Sequence, residues 1–137
     1  ISSPLDRFVK KEGLGIITGA ETGFHIGHDP DTVRAPDVGF VCKNRVPSET
    51  ISGFFQGPPD LAVEVLSPND RASAVTAKVQ DWLAVGCRAV WVVDPGTKSV
   101  AVYRSLDQIG VLSQTDSLSG DDLLPDFSLP VAEIFAS

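Results

Sequence analysis

The spacing of apolar residues along the chain changes character at a few points, and each change marks an element. Over 6–12, Leu5, Phe8 and Val9 fall on one side of a helical wheel, Lys10 and Lys11 occupy the last turn, and Gly13 ends the segment. A helix is predicted there. Short apolar runs at 14–18 and 22–26 read as two strands, and the His-Asp-Pro-Asp composition of 28–31 reads as a turn. A third strand is predicted over 36–41. The connection that follows, 43–58, is rich in Pro, Ser and Gly, and a loop of that length in a compact domain is commonly functional. Within it Phe54 and Phe55, flanked by Gly53 and Gly57, require a covering surface, from the domain itself or from a second subunit.

The run 60–66 is almost continuously apolar, the mark of a central strand covered on both faces. It stops at the turn sequence Ser67-Pro-Asn-Asp70. A helix is predicted over 73–85, where Val75, Val79, Trp82 and Leu83 share a face and Gly86 terminates it. A second central strand at 89–93 leads through Asp94-Pro-Gly-Thr97, a hairpin turn, into a strand at 99–103. A weaker strand at 110–114 and a helical turn at 131–135 complete the pattern. Strands, then a helix and a further strand, in that order make the class α/β with a mixed sheet.

Length and composition narrow this picture. A chain of 137 residues with 42% hydrophobic residues buries a core without metal or disulfide support. No apolar run is long enough to span a bilayer, which predicts no membrane association. Cys42 and Cys87 lie far apart beside apolar residues, as buried free thiols of a reducing compartment do, and a cytoplasmic location is expected. The chain contains no methionine and opens on Ile1-Ser-Ser-Pro. One domain over 1–137 is expected, lacking an amino-terminal segment. The net charge of −7 speaks against a nonspecific nucleic-acid binder, which carries a basic excess, but leaves room for a nuclease whose acids hold cations.

Three charged residues stand out. Glu64 lies inside the apolar run 61–66, Asp37 lies near the start of the third strand, and Lys78 sits on the following helix. A charge in a buried strand is costly unless something pairs with it. If the two strands pair, both carboxylates reach one region of the sheet and share Mg2+ or Mn2+ through oxygen ligands. Lys78 would then orient or deprotonate a water, or neutralise charge on a phosphate. The competing reading makes Asp37 a turn cap, Glu64 half of a structural ion pair and Lys78 a solvated helix residue. Elsewhere the signals are plainer. His25 and His28 are expected at the surface, Trp82 and Trp91 in the core, and Asp60, Asp70 and Asp94 at strand entries and turns, with Asp60 a candidate for a metal's outer surroundings. There is no Gly-x-Ser-x-Gly element, no phosphate-binding glycine loop and no histidine that partners a cysteine.

Four segments in order, Arg34-Ala-Pro-Asp-Val-Gly-Phe-Val41, Pro59-Asp-Leu-Ala-Val-Glu-Val-Leu-Ser-Pro68, Lys78 with Trp82-Leu83, and Gly86 through Asp94, resemble the Uma family of restriction endonucleases in the PD-(D/E)XK nuclease superfamily. The likeness runs from about Thr22 to Tyr103. It implies a restriction-endonuclease-like core, a central mixed sheet flanked by helices, with Asp37 and Glu64 as the two acids that hold the metal. The superfamily's lysine would stand two residues after Glu64, where this chain has Leu66; the resemblance implies that Lys78 replaces it from the next helix. Trp82 stands where a tyrosine is more usual, and the family's amino-terminal helical region is represented only by a remnant.

Two functions follow as expectations. The first is a divalent-metal-dependent endonuclease acting on nucleic acid, DNA before RNA, with Asp37, Glu64 and Lys78 catalytic and the chain a homodimer. The second is a noncatalytic binding or assembly protein on the same scaffold, and hydrolysis of a small phosphoester is a third. A nuclease needs a basic rim around its acids, for which Lys43, Arg45, Arg71 and Arg88 are the expected contributors.

Overall fold

A computed structural model describes residues 1–28, 31–46 and 55–136. The chain opens with α1 (Ser2–Glu12), ended by Gly13 in the left-handed conformation at φ 64°, and continues into β1 (Gly15–Thr18) and β2 (Phe24–His28). Then come β3 (Asp31–Arg34), β4 (Val38–Cys42), a 3-10 turn (Lys43–Arg45) and the two-residue β5 (Phe55–Gln56). β6 (Leu61–Val65), α2 (Ala72–Ala84) and β7 (Ala89–Asp94) form a crossover between parallel neighbours. β8 (Ser99–Ser105), β9 (Gln108–Leu112), β10 (Ser117–Ser119), β11 (Ser128–Pro130) and α3 (Val131–Ile134) follow.

Six strands make one sheet in the order β1-β4-β6-β7-β8-β9. Only β6 and β7 run parallel; the other neighbours are antiparallel, which makes the sheet mixed. The α/β reading and the central position of the two apolar runs are correct, because each of those strands is covered on both faces. Leu61 and Val63 of β6 point into a core shared with α1 and with Leu118, Leu124, Phe127 and Leu129 of the C-terminal segment. Ala62 points the other way, into a core with Val79 and Trp82 of α2 and Phe24 of β2. A small sheet, β3-β2-β5, flanks that second core.

The differences from the sequence reading lie in the short elements. β3 begins inside the predicted turn at 28–31, because Asp31–Arg34 pairs back onto β2. Four residues with one apolar side chain among them carry too little period-2 signal to be seen. β10 and β11 are equally brief and are fixed by single buried leucines, Leu118 and Leu129. Phe55 stacks on Phe24 with ring centroids 5.2 Å apart, so the domain itself covers it; Phe54 lies outside the described residues.

One buried acid holds the start of β6. Asp60 accepts a hydrogen bond from the Cys42 amide at 2.8 Å and pairs with the Arg45 guanidinium at 3.1 Å. Asp60→Ala removes the acceptor of the Cys42 amide and the counter-ion of Arg45, which keeps its bond to the Pro58 carbonyl, and is expected to cost about 2–3 kcal/mol, below the range of a fully buried pair because Arg45 keeps some water. A urea midpoint would register the loss. Metal binding at the other end of β6 should not change.

Candidate active site

β6 supplies the first residue. Its alternation sends Ala62 and Glu64 toward α2, so Glu64 enters an apolar core with 8% of its surface exposed. β4 runs antiparallel beside it with Val38 opposite Val63, and one further step of that register brings Asp37 opposite Glu64. Asp37 stands just before β4, exposed, and its Oδ2 accepts a hydrogen bond from the Val65 amide at 2.7 Å. The third residue comes from α2, whose side chains lean toward its N-terminus and hence back toward the Glu64 end of β6. Trp82 uses this lean to donate its Nε1–H to Glu64 Oε2 at 2.8 Å. Lys78, one turn earlier and exposed, is close enough for its charge to act on Glu64.

Burial pushes the Glu64 carboxyl above the usual range, and the Asp37 charge adds to the effect. The Trp82 N–H, the Lys78 ammonium and the Asp37 backbone amide oppose it without cancelling it. A buried, hydrogen-bonded carboxylate beside a second carboxylate is therefore short of positive charge. That deficit is what a cation at the site would relieve. Asp37 accepts from the Val65 amide and Glu64 from the Trp82 indole and the Asp37 amide, and two carboxylates are the number of hard oxygen donors that magnesium takes from a protein. Among the described residues no group of three or more His, Cys, Asp or Glu side chains gathers as a metal cage. The donor set thus fits a hydrated magnesium- or manganese-type ion and not a closed structural zinc site.

The sequence assigned Trp82 to the core and missed its hydrogen bond. The signal was present, because a buried indole N–H needs an acceptor and Glu64 is the acid its helix face meets. Trp82→Phe keeps the ring and removes the donor. It is expected to cost about 1.5–3 kcal/mol where Glu64 is ionised, the range for hydrogen bonds to charged groups. It should also raise the Glu64 pKa further, so the onset of metal binding moves to higher pH. Manganese titrations across a pH series would read the shift, and an unmoved onset would deny the hydrogen bond its role.

The remaining candidates separate from the site. Leu66 is half-buried against the α2 core, which confirms that the position two residues after Glu64 does packing work. Asp60 lies at the opposite end of β6, bound to Arg45, and is not near the two acids. His25 is not at the surface: it is buried, with Nδ1 3.1 Å from Gln56 Oε1. Asp70 and Asp94 cap their turns through the Ser67 and Gly96 amides. Cys42 and Cys87 are free, and burial pushes the Cys87 thiol up to about 12. Of the expected basic rim only Arg71, ahead of α2, stands at the Glu64 end; Lys43, Arg45 and Arg88 lie at the Asp60 end. Arg34, paired with Asp81 of α2 at 3.0 Å, supplies a cation one helical turn from Lys78 that the sequence did not single out.

Among the described residues no helix is long and apolar enough to cross a membrane. The family described as "Uma2: Putative restriction endonuclease" matches residues 1–132. A solved structure, titled as that of a putative nuclease belonging to DUF820 from Anabaena variabilis ATCC 29413, superposes with a TM-score of 0.85 at 23% identity, covering 98% of this chain and 75% of that one. At that identity the likeness establishes the fold. No curated protein matches the chain significantly.

Proposed function

The chain belongs to the Uma2 restriction-endonuclease-like family, and from that premise we propose that it hydrolyses phosphodiester bonds of nucleic acid, DNA in the first place, with a divalent ion held by Asp37 and Glu64. The observation that carries the reading is that the register of β4 and β6 runs on to set Asp37 opposite Glu64, close enough for its charge to act on it, with Glu64 buried and its pKa raised. A bound Mg2+ or Mn2+ supplies Lewis acidity toward a phosphoryl oxygen and acidifies its water. Asp37 and Glu64 hold the ligand oxygens in place, Asp37 through the Val65 amide and Glu64 through the Trp82 indole. Lys78 neutralises charge that develops on the phosphoryl oxygens and orients the attacking water. Cutting both strands of a duplex calls for two such sites, which a homodimer supplies.

A second reading has its own observation. The chain carries a net charge of −7, and most of its expected basic rim lies at the wrong end of β6. A noncatalytic binding protein on the same scaffold would look like this. Calorimetric titration with Mn2+ of the natural chain, Asp37→Ala and Glu64→Ala, followed by incubation with labelled duplex, single-stranded DNA and RNA, separates the two. Binding lost in both variants together with cleavage supports the nuclease. Binding with no cleavage of any substrate favours the scaffold, and no binding by the folded natural chain removes the metal site.

A further inference from the structure

A row of residues in register crosses the six-stranded sheet from the two acids to its outer edge. Glu64 of β6 stands opposite Val92 of β7, Val92 opposite Ala101 of β8, and Ala101 opposite Val111 of β9. Residues directly opposite share a face, so the whole row lies with Glu64 on the α2 side. Beyond Glu64 the row lines an open cavity of about 380 Å³, closed on its other sides by α2 and by the turn after β6. That volume is at the lower end of small-ligand sites, about 300–1,000 Å³. Its lining is of two kinds. Leu66, Val75, Tyr103 and Val111 bring apolar and aromatic surface, and Val111 is still 71% exposed. Asp70 and Asp94 bring carboxylates, held in place by the Ser67 and Gly96 amides at 2.8 and 2.9 Å. The cavity thus offers apolar surface to a flat ring and acceptors to its N–H groups.

We propose that this cavity receives one unpaired guanine of the strand whose phosphate sits at the Asp37–Glu64 site. The inference rests on the phosphodiesterase reading and names the base which that reading leaves open. Position comes first. Adjacent strands lie about 4.8 Å apart, so Ala101, two strands from Glu64, is about 10 Å away. A nucleotide reaches over that distance from its phosphate to the edge of its base. Chemistry then chooses the base. A carboxylate only accepts, and guanine is the one base with two adjacent donors, N1–H and the 2-amino group, on its pairing edge. Adenine and cytosine set a ring acceptor beside their amino group, and thymine sets a carbonyl on each side of its one N–H. Each of these brings an acceptor against the carboxylate, where it stays unpaired. Asp94, half-buried at the end of β7, is the acid that takes the two donors. Tyr103 gives the face of the ring a stacking partner. The two acids repel a phosphate, which stays with Lys78, whose charge acts on both Glu64 and Asp70. Guanine uses its pairing edge here, so the base comes from a single strand or is turned out of a duplex.

The test is a titration of the natural chain, read by amide NMR, with the monophosphates of deoxyguanosine, deoxyinosine and thymidine in the absence of divalent metal. The inosine base differs from guanine only in lacking the 2-amino group. Shifts are expected at Thr76, Val92 and Ala101. The inosine nucleotide should bind about tenfold more weakly than the guanine nucleotide, and the thymidine nucleotide more weakly still. Asp94→Asn keeps the turn, because its amide oxygen still accepts from Gly96, and it replaces one acceptor by a donor. The guanine preference should vanish in this variant, with Mn2+ binding unchanged. Should the variant fail to fold, the ratio of guanine to inosine binding in the natural chain decides. No binding at millimolar nucleotide overturns the proposal. So do equal binding of the guanine and inosine nucleotides, shifts that map elsewhere, and a preference that survives Asp94→Asn. N-acetylarginine amide carries the other flat group with paired donors. If it binds as tightly as the guanine nucleotide, the cavity belongs to a protein side chain and the proposal falls. Since the titration contains no metal, failure of the Asp37–Glu64 site leaves its result unchanged and shows separately, as absent Mn2+ binding.

Discussion

Glu64→Gln should abolish divalent-metal binding, lower hydrolysis by on the order of 10³-fold or more, and at the same time raise the melting temperature of the metal-free chain. The two halves of this result come from one cause. Glu64 is buried, and burial raises its pKa. The folded chain therefore holds the Glu64 proton more tightly than the unfolded chain does. Stability from that difference is fully present below the unfolded pKa and is lost as pH rises through the raised folded value. Above that value the metal-free protein carries a buried carboxylate whose ionisation works against the fold. Glutamine keeps the shape, and its amide oxygen still accepts the Trp82 N–H, so the charge is removed with that contact kept. The gain in melting temperature should be largest at neutral and higher pH and should vanish in acid. Excess Mn2+ should stabilise the natural chain and leave the variant unmoved, because only the natural chain has a site to which binding energy couples. A variant no more stable than the natural chain at pH 8 without metal would mean that Glu64 is already satisfied by protein groups. The structural ion-pair reading of the site would then replace the catalytic one.

How far the sequence reached is clearest from individual elements. The run around Glu64 disclosed itself because a continuous apolar strand tolerates a carboxylate poorly, and the conflict is local to six residues. Lys78 came in through the family likeness, which implies that the cation absent at Leu66 is supplied from the following helix; the structure puts it exposed on α2, with its charge acting on Glu64. Asp37 needed pairing to become meaningful. Its partner is 27 residues away, and only the β4–β6 register of Val38 with Val63 brings the two together. Trp82 was placed in the core and does lie there, yet its side chain has two ends. The ring packs against Phe24 while the N–H reaches Glu64. A helical wheel reports the face a residue occupies, and cannot report which acid its polar atom meets. The basic rim failed for a similar reason. Lys43, Arg45 and Arg88 follow or precede core strands just as Arg71 does, but strand direction decides at which end of the sheet each arrives. The direction of β4 against β6 sends Lys43 and Arg45 to the Asp60 end, where Arg45 is used to hold Asp60.

Lys78→Met carries the second large effect. Methionine retains most of the aliphatic stem, and Lys78 is exposed on α2, so the fold should lose little. Metal binding should persist at pH 8, since the two carboxylates remain. Turnover, by contrast, should fall by about 10²–10³, the usual cost of removing one group that stabilises charge in a transition state. KM should change much less than kcat if the ammonium acts mainly after substrate is bound. A further readout tests whether Lys78 works on the Glu64 site and not at a distance from it. The Lys78 charge pulls the Glu64 pKa down, so its loss should raise that pKa and shift the onset of metal binding toward higher pH. Lys78→Arg keeps the charge and should leave the onset near its natural place, while its broader, planar head restores turnover only partly. An onset that moves in the Met variant and returns in the Arg variant ties the ammonium to the carboxylate electrostatically. Unchanged turnover in the Met variant, with metal still bound, would take Lys78 out of the reaction.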